Sequence, residues 1–426
     1  MYISQVKDRV GEEIELRGWV YRKRESGGII FVIIRDHTGI IQISIKKDNV
    51  DANSWNDANE TSIESSIKVR GIIKEDPRAP GNYEIEAKEF KLIHKAEPFP
   101  ITEYQSPELL LDFRHLWLRS QKMTKIMRIR SYVFRYIREF LDERDFYEIT
   151  PPILTKAGGE TGADLFEVKY FNEKAYLTES SQLYAEAMIF SLEKVYSFAP
   201  SFRAEKSRTV KHLAEYWHLE PEMAYYDMYD NMKLQEELVS YIAQSLARDH
   251  ADLLKDFNVN IEELKGVEPP FPRYSYKEAL DILKEKGSDK KWGDDFGVEE
   301  EKLLTMDQTK PIFIHHWPSE IKAFYMPDDP EYPGTVKNAD MLAPKGHGEI
   351  IGGSERIWKL DELLDKMKKF KLNIENYDWY IDLRKYGSVP HSGFGMGVER
   401  VIKWLLNLDH IRDAIPFPRV INRVKP

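Results

Sequence analysis

The chain has 426 residues, with 62 basic against 72 acidic side chains and a formal net charge of −10. Hydrophobic residues at 42% and aromatics at 12% can fill the cores of two or three domains, which excludes wholesale disorder. The absence of cysteine excludes disulfides, thiolate zinc sites and a cysteine nucleophile. Net acidity argues against a general coat of nucleic-acid affinity but is compatible with a local basic patch.

The longest unbroken apolar run covers residues 29–34, far short of the roughly 20 residues of a bilayer crossing. The start, MYISQVKDRV, lacks the apolar stretch of a secretory signal. A cytoplasmic protein without membrane association is therefore expected. The first hundred residues read as strands. Residues 14–20 alternate imperfectly, 29–34 fit a buried strand, His37-Thr38-Gly39 makes a turn, and 41–45 alternate cleanly. The polar stretch 49–60 fits a short helix or a loop. Runs at 67–73 and 83–93 follow, separated by the turn-rich 76–81. Five strands with a longer connection after the third is the order of an OB-type barrel, a fold often used on single-stranded nucleic acid.

Prolines at 98, 100 and 107 mark a linker. Beyond it, Ile126, Ile129, Val133, Ile137 and Phe140 share one face of a helix over 122–144. Residues 147–152 end that unit as a proline-stiffened extended segment. Strand-like runs then alternate with long turns up to Tyr226. A second amphipathic helix carries Leu234, Leu238, Ile242 and Leu246, and the charged, weakly periodic region 255–310 reads as an insertion. The expected division is 1–95 for the barrel, 96–107 for the linker and 108–426 for an α+β domain.

Three segments can carry chemistry. In the first, Arg203 and Glu205 lie two apart, so a strand turns both to one side. A cationic loop with Lys206, Arg208, Lys211 and His212 follows. In the next strand Tyr216, His218, Glu220 and Glu222 share a face. Two antiparallel strands joined this way gather a guanidinium, carboxylates and a ring around one spot, suited to a phosphorylated, stackable ligand such as ATP. Alone, the segment reads more simply as a solvated charged hairpin. In the second segment, Glu349 precedes an apolar pair and then Gly352 and Gly353. A lone carboxylate there can hold Mg²⁺ through water and phosphate oxygens, although a glycine-rich turn is the simpler account. In the third, Gly393, Gly395 and Gly397 run into an amphipathic helix whose first turn holds Arg400. A Rossmann fingerprint is excluded by its spacing. His315 and His316 lie side by side and would face opposite sides of a strand, which argues against a metal site. In the barrel, Arg17, Arg22, Lys23 and Arg24, interleaved with Trp19 and Tyr21 and followed by Phe31, suit single-stranded RNA or, more plainly, an exposed basic edge.

In this order, the segments resemble the class II aminoacyl-tRNA synthetases, in particular the aspartate/asparagine/lysine subgroup, over essentially the whole chain. The helix ending at Pro151 is similar to motif 1, Phe202-Arg203-Ala204-Glu205 through Glu222 to motif 2, and Gly395-Met396-Gly397-Val398-Glu399-Arg400 to motif 3. The resemblance implies a homodimer, a catalytic domain built on an antiparallel sheet flanked by helices, and an OB barrel that binds the anticodon. It implies that Arg203 binds the α-phosphate and the substrate carboxylate, Glu205 the adenine edge and Tyr216 the ring face. Arg208 and His212 would lie near the outer phosphates, Glu349 would bind Mg²⁺, and Arg400 would cover the γ-phosphate and adenine. Glu160 would meet the amino-acid ammonium, with Ser180 and Gln182 nearby. Phe31 and Gln42 would stack on and hydrogen-bond the central anticodon base. A serine that often accompanies the metal-binding glutamate is Gly352 here. The resemblance also implies a mechanism in which an amino-acid carboxylate would attack the α-phosphorus of ATP with loss of pyrophosphate, and a ribose hydroxyl of tRNA would then take the acyl group.

Aspartate enzymes of the subgroup carry Gln-Leu-Tyr-Lys where this chain has Gln182-Leu183-Tyr184-Ala185. Without that lysine, Arg356 and Glu220 supply one donor and one acceptor, the pair a carboxamide wants. L-Asparagine and tRNA(Asn) are the expected substrates. An aspartate enzyme charging one or both tRNAs, an asparagine-synthesising paralogue and a non-catalytic RNA-binding protein remain as alternatives.

Overall fold

Residues 1–102, 105–156, 165–206 and 211–426 are described by the structure, a computed structural model. The chain forms two compact units, Met1–Thr124 and Lys125–Pro426. In the first, β1 (Glu13–Ser26), β2 (Ile29–Arg35), β3 (Ile40–Lys46), β4 (Ser66–Glu75) and β5 (Tyr83–His94) close into a barrel in the order β1-β2-β3-β5-β4. The run 29–34 is not buried on both faces. Ile30, Val32 and Ile34 fill the interior, while Ile29, Phe31 and Ile33 lie half-exposed on the outer face. Period two survives inside an unbroken apolar run because the barrel has only one dry side. The polar stretch after β3 is a helix, α1 (Ala52–Glu60), capped where the Asp51 carboxylate accepts a 2.7 Å bond from the Ser54 N–H. The Ser54 hydroxyl accepts from the Phe90 N–H at 3.0 Å, and buried Ala58 joins the barrel core. Two short helices, α2 (Pro107–Asp112) and α3 (Arg114–Trp117), follow.

Helix α4 (Gln121–Asp142) buries Ile126, Ile129, Val133, Ile137 and Phe140, the stripe expected from their spacing. The second unit is built on β6 (Tyr147–Ile149), β10 (Lys194–Phe202), β11 (Glu215–Ala224), β12 (Arg273–Ser275), β13 (Ile312–His315), β14 (Asn338–Ala343), β15 (Gly348–Arg356) and β16 (His391–Gly397). Their order is β12-β13-β14-β15-β16-β11-β10-β6. Every central pairing is antiparallel, whereas the outermost pairs β12–β13 and β10–β6 are parallel, so the sheet is mixed. A small second sheet joins β7 (Leu154–Thr155), β8 (Glu167–Tyr170) and β9 (Glu173–Leu177).

The accompanying helices are α5 (Gln182–Leu192), α6 (Met228–Asp249), α7 (Ala251–Leu254), α8 (Ile261–Lys265), α9 (Tyr276–Glu285), α10 (Val298–Thr305), α11 (Leu360–Lys369), α12 (Asp378–Lys385) and α13 (Val398–Leu405). The charged region 255–310 has an ordered core. Tyr276, Ala279, Leu283, Phe296 and Leu304 pack against Ile312, Ile314 and Trp317 of the sheet. His316 leaves β13 with a left-handed backbone (φ 57°), so the two histidines do not straddle a strand. Its ring hydrogen-bonds Asp329 at 3.0 Å and stacks on Tyr332. Among the described residues, no helix is long and apolar enough to cross a membrane.

Candidate active site

A cavity of about 310 Å³ opens over the middle of the eight-stranded sheet. Strand β11 brings His218, Glu220 and Glu222 to it, β14 brings Asp340, β15 brings Glu349 and Arg356, and the first turn of α13 brings Arg400. Gln182, Arg203, Lys211, His212, Tyr216 and Lys322 complete its polar lining. Strands that are antiparallel neighbours thus converge residues from all three sequence segments, although β11 and β15 do not pair with each other but sit on either side of β16.

The glycines of β16 make that convergence possible. A Cβ at Gly393 would overlap the Glu222 carboxylate, and one at Gly395 would overlap the His218 ring. These positions are occupied by side chains from β11, so the glycines leave room for protein groups rather than for backbone contact with a ligand.

Arg203 lies just beyond β10, not within it, and its N–H donates to the Ala214 carbonyl at 2.9 Å. The alternation that would align Arg203 with Glu205 therefore stops short of them. Its guanidinium lies 5.6 Å from the Tyr216 ring centroid. Glu205 is exposed and lines a small recess shared with Arg203, His212 and Leu213 rather than the main cavity. Arg208 and Glu160 fall outside the described residues. Burial holds the His212 and His218 imidazoles below their usual range, with Arg400 and Arg203 pushing the same way against Glu205 at His212 and Glu220 at His218.

Arg356 does not pair with Glu220. Its Nε and Nη2 donate to the two oxygens of Glu222, each at 3.0 Å, and Nη1 donates to the Ser354 hydroxyl at 2.8 Å. Glu222 lies two residues past Glu220 and therefore on the same face of β11, one step closer to Arg356 along the sheet. Glu220 accepts from the Ser181 N–H at 2.8 Å and from the hydroxyls of Ser180 and Ser181. Both residues still line the same cavity. Burial raises the Glu222 carboxyl against the pull of Arg356, and the nearby Glu186 carboxylate adds to the rise. Glu186 is itself held well below the usual carboxylate range, because Arg384 and His391 outweigh its burial. Gln182 lines the cavity and donates to Glu186 at 3.0 Å. Ala185, the position of the missing lysine, is fully buried against Ile189, Val195 and Ala224 and does not line the cavity.

At the opposite end, Arg400 Nη1 lies 3.2 Å from both Oε1 and the main-chain oxygen of Glu349. Desolvation pushes Glu349 up, but Arg400, Lys322 and Arg203 outweigh it and its carboxyl sits below the usual value. Asp340, absent from the sequence reading, faces Gly352 across β14–β15. A Cβ at Gly352 would lie 3.5 Å from Asp340 Oδ1 and 3.9 Å from Glu349 Oε1, so both carboxylates come near the same stretch of β15. Burial pushes Asp340 up to about 6 despite its 2.5 Å ion pair with Lys322, and Glu349 adds to the rise. The signal in the sequence was a lone carboxylate inside the otherwise apolar run 339–343. In the barrel, Phe31 lies half-exposed with the Arg24 guanidinium 4.6 Å from its ring centroid. Gln42 is buried, and its amide nitrogen donates to Glu84 at 2.9 Å.

The family of tRNA synthetases class II (D, K and N) matches residues 106–421, and the OB-fold nucleic acid binding domain matches residues 14–93. The chain belongs to the class II tRNA synthetases. An asparagine–tRNA ligase of Thermoplasma acidophilum is 48% identical to this synthetase over 99% of the chain and 98% of the relative. One from Thermococcus gammatolerans is 48% identical over 100% and 99%. Among solved structures, asparaginyl-tRNA synthetase from Pyrococcus horikoshii complexed with asparaginyl-adenylate superposes with a TM-score of 0.97 at 48% identity, covering 100% of this chain and 99% of that one. The Entamoeba histolytica enzyme, also with asparaginyl-adenylate, gives 0.89 at 35% identity over 98% and 97%.

Proposed function

We infer that this synthetase activates L-asparagine with ATP to asparaginyl-adenylate and transfers the acyl group to the 3′-terminal ribose of tRNA(Asn). The observation that carries this reading is the charge balance at the Arg356 end of the cavity. The guanidinium is already matched by Glu222, and Glu220 stands beside them. A carboxamide adds no charge and finds both a donor and an acceptor there, whereas an aspartate carboxylate would enter next to two glutamates with no unmatched cation.

The roles that follow are those of positioning and charge stabilisation. Arg203 binds the α-phosphate and the substrate carboxylate, so that attack at phosphorus and loss of pyrophosphate occur against a fixed guanidinium. Tyr216 lies beneath the adenine, Glu205 meets its edge, and Arg400, Arg208 and His212 take the outer phosphates. Ser180 and Gln182 border the amino acid, with Glu160 at its ammonium. Glu349 and Asp340 are hard oxygen donors on the paired strands β15 and β14, a set that fits Mg²⁺. When bound, the ion would neutralise phosphate charge. Phe31 and Gln42 contact the anticodon, within the proposed division into barrel (1–95), linker (96–107) and catalytic domain (108–426).

Cytoplasmic location and a homodimer belong to the same proposal. Tyr147 on edge strand β6, and Ile153 and Leu154 a few residues further along the chain, are 56%, 40% and 41% exposed, apolar side chains that a second copy would cover. Sedimentation of the full chain should give twice the chain mass; a single-chain mass refutes the dimer.

ATP–pyrophosphate exchange with each of the twenty amino acids tests the substrate. Asparagine should drive exchange at least about a hundredfold better than aspartate. Equal exchange with both would overturn the asparagine assignment in favour of a non-discriminating enzyme.

A further inference from the structure

The region 255–310 reaches the active site through Glu301. Glu301 on α10 is nearly buried and forms an ion pair with Lys211, at the end of the motif 2 loop that leads into β11. The same carboxylate oxygen accepts from the Glu349 N–H at 3.3 Å. One turn later, on the same helical face, Thr305 completes the attachment. Its carbonyl accepts from the Lys345 N–H at 2.8 Å, and its hydroxyl accepts from the Gly346 N–H at 3.1 Å. Helix α10 therefore grips the β14–β15 turn at two points and the motif 2 loop at a third. Gly348 is what admits the carboxylate: its backbone is left-handed (φ 80°), and a Cβ there would overlap Glu301 and stand 2.7 Å from Lys211 Nζ.

We propose that Glu301 is a positioning residue for ATP, tying the distal root of the motif 2 loop to the strand that carries Glu349. The base of the loop is already closed by the main-chain bond from the Arg203 N–H to the Ala214 carbonyl, so Glu301 acts on Lys211, three residues before that base. Without that partner the long Lys211 side chain, which lines the cavity, must be ordered anew each time ATP binds, which weakens affinity for ATP but not for the amino acid. Lys211 and Glu349 line the cavity, while Glu301 stands behind them, so the effect passes through those two residues. The inference rests on the cavity being the ATP site, which exchange by the unaltered enzyme tests separately.

Steady-state exchange with Glu301→Ala and Glu301→Gln tests the tie. Alanine should raise KM for ATP about tenfold, the loss expected for a charge-assisted contact, with KM for asparagine within about twofold. Glutamine keeps an oxygen that can accept from Lys211 and from the Glu349 N–H, so it should recover most of that loss. In a Lys211→Met background, Glu301→Ala should add little. Unchanged KM for ATP in the alanine variant, or equal rises for both substrates, would overturn the proposal. If the alanine variant fails to fold, Glu301→Met, close to glutamate in volume but without an acceptor, takes its place, alone and combined with Lys211→Met. Fully additive effects refute the tie, and non-additive effects confined to ATP support it.

Discussion

Arg203→Ala is expected to lower kcat/KM for asparagine-dependent ATP–pyrophosphate exchange by about 10³-fold or more, while leaving tRNA affinity within about twofold. The guanidinium lines the cavity with His212 and Tyr216, and its main chain is pinned to Ala214. Alanine keeps that main-chain bond and removes only the charged fork, so the loss should fall on the chemical step and on the phosphate. Charge builds on the α-phosphoryl oxygens in the transition state, and a preorganised donor there acts mainly on kcat. The barrel has its own closed sheet and apolar core in a separate compact unit, so anticodon contacts should survive. Exchange within twofold of the unaltered enzyme would refute the role of Arg203. A parallel loss of tRNA binding and melting temperature would mean that the substitution had unfolded the domain instead.

Much of the scaffold was legible because it depends on local periodicity. The stripe of Ile126, Ile129, Val133, Ile137 and Phe140 is buried as spaced, and the barrel strands alternate around Ile30, Val32 and Ile34. Glu220 and Glu222 were likewise visible as residues on one face. Which of them meets Arg356 was not legible, because β15 and β11 are separated by β16, and the register of three strands decides the match. A gap at Gly393 then lets Glu222 cross beneath the intervening strand. Ala185 was read as the place of a missing lysine, yet it faces the apolar cluster around Ile189. Charge balance there rests on Glu222 rather than on position 185 alone. Glu301 was hidden for another reason: its partners lie 90 and 48 positions away, and nothing in a charged helix distinguishes the one carboxylate turned inward.

Glu222→Gln is expected to reverse the ranking of the two amino acids. Glutamine has nearly the volume of glutamate, so the space beside Gly393 stays filled, but the bidentate partner of Arg356 is gone and an amide NH₂ faces a guanidinium NH₂. Leaving one member of a buried pair uncompensated costs on the order of 3–5 kcal/mol. Glu186 offsets part of this, because its carboxylate, Glu222 and His391 have ligand atoms within 4.8 Å of one another. Glu186 is nevertheless already held by Arg384, Tyr380, His391 and Gln182, so the offset is small. An aspartate carboxylate can replace the lost charge, and asparagine cannot. The variant should lose about a hundredfold in kcat/KM for asparagine and gain for aspartate, moving the ratio by about 10²–10³. Thermal unfolding gives an independent reading: the free variant should melt lower than the unaltered enzyme, and saturating aspartate should raise its melting temperature more than saturating asparagine. If both activities fall together and neither ligand restores stability, the Arg356–Glu222 pair holds up the sheet without choosing the substrate, and the charge-balance account of specificity is wrong.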